Sequence, residues 1–213
     1  MSQTPNTTSR RELHARPDQE GQVTRLVIMG PQGAGKGTQA ARLAEVFGIV
    51  PISTGDIFRT NIAGETELGK LAQEYTNKGD LVPDEVTNDM VRDRLAEPDV
   101  KQGFILDGYP RNAAQVAELD GILAGLGWEL DGVIELTADR AELLSRIAKR
   151  AEVEGRDDDT EEAITRRLDI YAEQTAPLTA AYGERNLLVQ VDGLGEIAEV
   201  TDRIVASLAT QLG

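Results

Sequence analysis

Residues 26–38 read LVIMGPQGAGKGT, and the fold turns on this stretch. The apolar run Leu26–Met29 shows no polar alternation, which is the pattern of a strand buried on both faces. Gly30, Gly33, Gly35 and Gly37 follow, and they permit a tight turn and close backbone approach. Lys36 stands among them, and a helical pattern opens at the same residue. Strand, glycine-rich turn with a lysine, then helix is the context of a phosphate-binding loop, or P-loop. Its backbone N–H groups form an anion nest at a helix N-terminus. Lys36 adds a compact charge that suits the β- and γ-phosphates of a nucleotide. One detail departs from the general pattern, which has Ser or Thr directly after the lysine. Here Gly37 intervenes and Thr38 follows.

Outward from this loop, short apolar runs recur at Ile49–Ile52, Phe104–Leu106, Val133–Leu136 and Leu187–Val191. They are rich in Val, Ile and Leu and read as further buried strands. Helical periodicity predicts helices over 36–47, 67–77, 84–96, 112–126, 139–152, 160–182 and 196–211. Strand–helix alternation predicts an α/β fold with a doubly wound parallel sheet. Two intervals break the rhythm. Extra helical material lies between Ser53 and about Asp80, and an acidic stretch, AEVEGRDDDT, joins two helices at 151–160. Both are expected to be excursions from the sheet.

Composition narrows the chemistry. The 213 residues are 40% hydrophobic and 28% charged, an ordinary globular balance. No apolar run approaches the ~20 residues of a membrane helix. The polar stretch before Arg25 has no apolar block like that of a secretory signal and is expected to be a disordered tail, residues 1–24. There are no cysteines and one histidine, His14, so disulfides and a zinc site are not expected. A net charge of −15 disfavours a nucleic-acid backbone as partner. It leaves room for a small phosphorylated substrate, because a local arginine cluster dominates the field at close range.

Five motifs stand in order: GKGTQ at 35–39, ISTGDIFR at 52–59, GDLVPDE at 79–85, GFILDGYPRNAAQ at 103–115 and DDDTEEAITRRLDIYAEQTAPL at 157–178. With them the chain resembles the adenylate kinase family of nucleoside monophosphate kinases, from about residue 25 to the C-terminus. The resemblance implies a P-loop NTPase-like core with a five-stranded parallel sheet flanked by helices. It also implies an NMP-binding insert, about 53–82, and a short lid, about 151–161, which are the two intervals that break the rhythm.

The implied reaction is reversible phosphoryl transfer, ATP + AMP = 2 ADP, with Mg²⁺ carried by ATP. Gly33, Ala34, Gly35, Lys36, Gly37 and Thr38 are then expected to cradle ATP, with Arg146, Arg150 and a backbone contact from Gly195. Arg146 and Arg150 are an i, i+4 pair on one helix face. Outside that context they read as surface charges pairing with Glu142 and Glu154. AMP contacts are expected from Thr54, Arg59, Asp80, Leu81, Val82, Gly108, Tyr109, Arg111, Gln115, Arg156 and Arg167. Arg59 and Arg111 match the family arginines on the AMP phosphate, and Gln115 matches its adenine-reading glutamine. Lys36, Arg111, Arg146, Arg156 and Arg167 are the expected catalytic set. Arg166 adjoins Arg167 and competes with it for that role.

Several of these residues also have plainer readings. Ser53 and Thr54 suit a helix N-cap. Pro83 suits the first position of a helix. Asp107, at the end of a strand candidate, reads as a Mg²⁺ ligand through water, with Thr38 beside it, or as the Asp of an Asp-Gly turn. The competing functions are a UMP/CMP kinase on the same scaffold, a nucleotide sensor without catalysis, and a partner-binding α/β domain. Thr54 and Gln115 resemble the AMP-specific pattern, which weighs toward AMP. The expected setting is cytoplasmic, and the expected state is a monomer with no membrane or nucleic-acid partner.

Overall fold

The computed structural model describes residues 23–154 and 160–212, with the backbone alone for 150–154 and 212. The tail through residue 22 and residues 155–159 of the lid interval lie outside this range.

Five parallel strands form the sheet: β1 (Thr24–Met29), β2 (Val50–Ser53), β3 (Gly103–Asp107), β4 (Gly132–Thr137) and β5 (Leu188–Asp192). Their order is β2-β3-β1-β4-β5, so β1 is central and the winding reverses on either side of it. In such a sheet the crevice at the strands' C-terminal ends is the place for ligands. The loops after β1, β3 and β5 all open there.

β1 shows why its apolar run carries no alternation. Leu26 and Ile28 join one core with Ile105, Ile134 and Leu136. Val27 and Met29 join the other, with Phe104, Leu106 and Val133. Both faces are covered, and all four residues are at most 3% exposed. Each such side chain contributes on the order of 1.5–3 kcal/mol by burial. The first face is closed by α1 (Lys36–Phe47) and α9 (Ile197–Leu212), through Leu43, Val200, Ile204 and Leu208. The second is closed by α4 (Asp84–Leu95), α5 (Ala113–Leu126) and α8 (Leu178–Glu184).

The interval after β2 folds as two helices, α2 (Thr54–Ala63) and α3 (Glu67–Thr76), around a small separate cluster of Phe58, Ala72 and Val82. Gly69 sets their spacing. A β-carbon there would collide with the carbonyl of Asn61, so the helices approach as closely as they do only because residue 69 has none. Thr66 caps α3 by accepting from Gly69 N at 3.0 Å.

The long helix expected over 160–182 is not one regular helix. α7 (Glu161–Ile170) passes into a π turn at Tyr171–Thr175 before α8. Pro177 is the physical cause. It has no N–H to return to the preceding turn, and the chain widens ahead of it, with Ala176 N donating to Tyr171 O at 2.7 Å. A 3₁₀ turn at Pro98–Gln102, leading into β3, also had no counterpart in the sequence reading. α6 (Arg140–Glu154) runs slightly longer than predicted.

Candidate active site

An open cleft of about 1260 Å³ runs along the C-terminal edge of the sheet. That exceeds the roughly 300–1,000 Å³ usual for a single small-molecule pocket. The loop Gly30–Gly35 forms its floor at one end and α2, α3 and the 79–82 segment wall the other.

At the loop, Gly33 has φ +87°, and a β-carbon there would stand 2.8 Å from Leu143 O. Only glycine fits, and the turn is pressed against α6. The turn ends in Gly35, which opens α1 in the left-handed region without a side-chain cap. The first N–H groups of α1 therefore face the cleft with the positive end of the helix dipole. Lys36 Nζ donates to Pro31 O at 3.0 Å, folding the lysine back over the loop. Ala34, Gly37 and Thr38 line the same end.

Asp107 closes β3 beside this helix start, its Oδ2 3.6 Å from where a Gly37 β-carbon would sit. Arg146 reaches over from α6. Its Nε donates to Glu142 Oε1 at 2.6 Å and its Nη1 to Gly193 O at 3.0 Å. The surface pairing with Glu142 and the position in the cleft wall are thus both realised. Gly195 lines the wall too, in a β5–α9 loop braced by Arg203 through Asp192 O and Leu194 O. A second brace was not foreseen. Gln39 Nε2 donates to Ile197 O at 3.0 Å, and its Oε1 accepts from Thr201 at 2.8 Å.

Toward the middle, three arginines converge. Arg111 Nε donates to Gly108 O at 2.8 Å. Burial lowers the Arg111 pKa below the usual guanidinium value; Asp107 opposes the shift, while Arg167 and Arg59 push in the same direction. Like charges held this close in a partly desolvated place are costly unless an anion joins them. Arg167 lines the cleft, and its Nη2 donates to Thr76 O at 3.0 Å. Its neighbour Arg166 turns away, with Nε 2.8 Å from Asp80 Oδ1. Arg59 lines the cleft as well and pairs with Asp56. Thr175, in the π turn, donates to Arg111 O at 2.7 Å and ties that irregular turn to the site.

At the far end, Ser53 caps α2 by accepting from Asp56 N at 3.2 Å, while Thr54 is buried and donates to Asp107 O at 3.4 Å. Asp80, Leu81, Val82, Gly108 and Tyr109 line this end. The Tyr109 hydroxyl reaches Asn88 Oδ1 at 2.7 Å and Gln115 O at 3.2 Å. Gln115 is buried yet faces the cleft, its Oε1 accepting from Arg111 N at 2.8 Å and its Nε2 donating to Asp84 Oδ1 at 2.7 Å. Phe58 and Ile62 add apolar wall that the motifs did not single out. The expected contacts from Arg150 and Arg156 lie outside the described side chains.

Among the described residues, no group of three or more His, Asp or Glu could hold a metal ion. None of their helices is long and apolar enough to cross a membrane.

A P-loop at one end of a single cleft, a partly apolar wall of Phe58, Ile62 and Val82 with the buried Gln115 at the other and arginines between them define a nucleotide phosphotransferase of the nucleoside monophosphate kinase class. Comparison with known proteins narrows the class. Residues 28–187 match the adenylate kinase family. Relatives named adenylate kinase include one from Kocuria rhizophila, 60% identical over 186 residues that cover 87% of this chain and 99% of the relative. Another, from Thermobifida fusca, is 56% identical over 187 residues, covering 88% and 99%. A third, from Bifidobacterium longum, is 60% identical over 184 residues, covering 86% and 99%. The chain belongs to the adenylate kinase family.

Proposed function

We propose that the chain transfers the γ-phosphoryl group of ATP to AMP, giving two ADP. The observation that carries this reading is the cluster of Arg59, Arg111 and Arg167, facing Asp107, midway along a cleft whose other end is a P-loop. A cleft with one phosphate cradle needs no second set of converging cations; a cleft that holds two nucleotides with their phosphates facing does. The names of the relatives support the same reaction.

In this mechanism the loop amides and Lys36 hold the β- and γ-phosphates, with Arg146 beside them. Arg59 and Arg111 hold the AMP phosphate. Arg167, together with Arg156 from the lid interval, adds charge over the group in transit. The acceptor phosphate is already an anionic nucleophile, so no general base is required. The chain's contribution is alignment and electrostatic stabilisation, and alignment alone can supply on the order of 7–11 kcal/mol. Asp107, through water, and Thr38 fit Mg²⁺: both offer hard oxygens next to the loop, and such a site leaves the remaining coordination to water and phosphate. Bound with ATP, Mg²⁺ would neutralise charge on the β- and γ-oxygens. The insert about 53–82 and the lid about 151–161 close over the two nucleotides and exclude water, in a monomer working in the cytoplasm.

The test is ADP formation from ATP with AMP, CMP or UMP as acceptor, with and without magnesium. The reading predicts kcat/KM on AMP at least ~100-fold above the pyrimidine nucleotides, and loss of turnover without the metal. Equal or better rates on CMP or UMP would overturn it.

A further inference from the structure

Both ends of the Gln115 amide are committed before any base arrives. Oε1 accepts from the backbone N–H of Arg111, and Nε2 donates to Asp84 Oδ1. Neither partner can exchange its role, since a backbone N–H only donates and an ionised carboxylate only accepts. The amide therefore has one favourable orientation, fixed by chemistry. Asp84 is itself held. Asn112 Nδ2 donates to its Oδ1 at 3.0 Å and its Oδ2 at 3.1 Å, while Asn112 Oδ1 accepts from Gln115 N at 2.9 Å as the cap of α5. Gln115 faces the cleft, whereas Asp84 and Asn112 stand behind it and do not line it.

We propose that Asp84 is a positioning residue for base selection: it fixes which way round Gln115 presents its amide to the acceptor nucleotide. The inference rests on the reading that AMP's base meets Gln115. With both ends tied, one Nε2 hydrogen and one Oε1 lone pair remain for a ligand, in fixed order. Adenine offers an acceptor, N1, beside a donor, the 6-amino group. A 6-oxopurine offers a donor, N1–H, beside an acceptor, O6, and needs the amide reversed. Reversal would set Nε2 against the Arg111 N–H and Oε1 against the Asp84 carboxylate, two repulsive contacts at once. Asp84 is also the first residue of α4, where a carboxylate favours the helix dipole, so a purely structural role must be separated from this one.

The experiment measures kcat and KM for AMP and for IMP in the full chain, with melting temperature as control, for wild type, Asp84→Ala, Asp84→Asn, Gln115→Ala and the Ala/Ala double variant. Asp84→Ala should lower the AMP-to-IMP ratio of kcat/KM by about tenfold, the scale of one hydrogen bond to a charged group. The loss should fall mainly on KM for AMP, with KM for ATP unchanged. Asp84→Asn, close in shape but able to present either a donor or an acceptor, should lower the ratio by about threefold. In the Gln115→Ala background Asp84→Ala should change the ratio no further. A folded Asp84→Ala with the wild-type ratio, or one that raises KM for both nucleotides alike, would overturn the proposal. If Asp84→Ala does not fold, a wild-type ratio in Asp84→Asn does the same. Should Gln115→Ala leave the ratio unchanged, the reading of the base pocket falls and this proposal with it. Should Gln115→Ala lower it while both Asp84 variants do not, only this proposal falls.

Discussion

At the phosphate end of the cleft, the ligand-facing groups are backbone amides and a few cations, held by a turn wedged between β1, α1 and α6. At the base end they are side chains in a hydrogen-bonded network, partly on helices that leave the sheet. The first arrangement is rigid because backbone geometry over-determines it. Gly33 has no room for a β-carbon and Gly35 starts a helix. The second depends on which side chain faces which, as the chain Asn112–Asp84–Gln115 shows. Damage to the first end should therefore appear in turnover, and damage to the second in affinity and selectivity.

The largest effect is expected from Lys36→Met, which removes the ammonium at the loop without filling it. Steady-state kcat should fall at least ~10³-fold, with the melting temperature kept. Near-normal kcat would break the comparison at its strongest point. Arg111→Ala should follow, with kcat/KM for AMP down by roughly 10²–10³, read in the same assay. Lysine at 111 should rescue little, since the Nε bond to Gly108 O and the planar fork are both lost. Gly69→Ala should be milder. Forcing α2 and α3 apart costs on the order of 1–3 kcal/mol locally, so KM for AMP should rise by about tenfold while KM for ATP stays put. If both Michaelis constants moved together, the two ends would not be independent. The smallest effect belongs to Arg166→Ala. Arg166 is exposed and does not line the cleft, although its partner Asp80 does, and kcat/KM should be unchanged within error; a large loss would move the role from Arg167 to its neighbour.

The same contrast explains what could be read from the residues alone. β1 and β3 were legible because helices cover both faces of the sheet there, which leaves continuous apolar runs, whereas the edge strands β2 and β5 were legible from Val, Ile and Leu content although they expose Pro51 and Gln190. The phosphate loop was legible because its chemistry is local: glycines, a lysine and a helix start, in consecutive positions. The segment 160–182 was misread as one helix because periodicity does not register a missing N–H at Pro177. The base end was legible only in part. Thr54 and Gln115 stood in recognisable motifs, but nothing in the spacing of Asp84 and Gln115 says that they touch. Contacts between residues far apart in sequence are a product of tertiary packing. The brace by Gln39 and Thr201 was missed for the same reason, although Gln39 sits in the quoted GKGTQ motif. Arg146 could not be assigned to surface or site because it serves both, pairing with Glu142 while bonding Gly193.

The central claim is that one cleft grips two nucleotides with their phosphates facing each other. Calorimetric titration with two adenosines joined through five phosphates tests it most directly. The account predicts one molecule bound per chain, displacing both ATP and AMP, and affinity lowered at least ~100-fold by Arg111→Ala. Two molecules per chain, or binding indifferent to AMP and to the loss of Arg111, would contradict it.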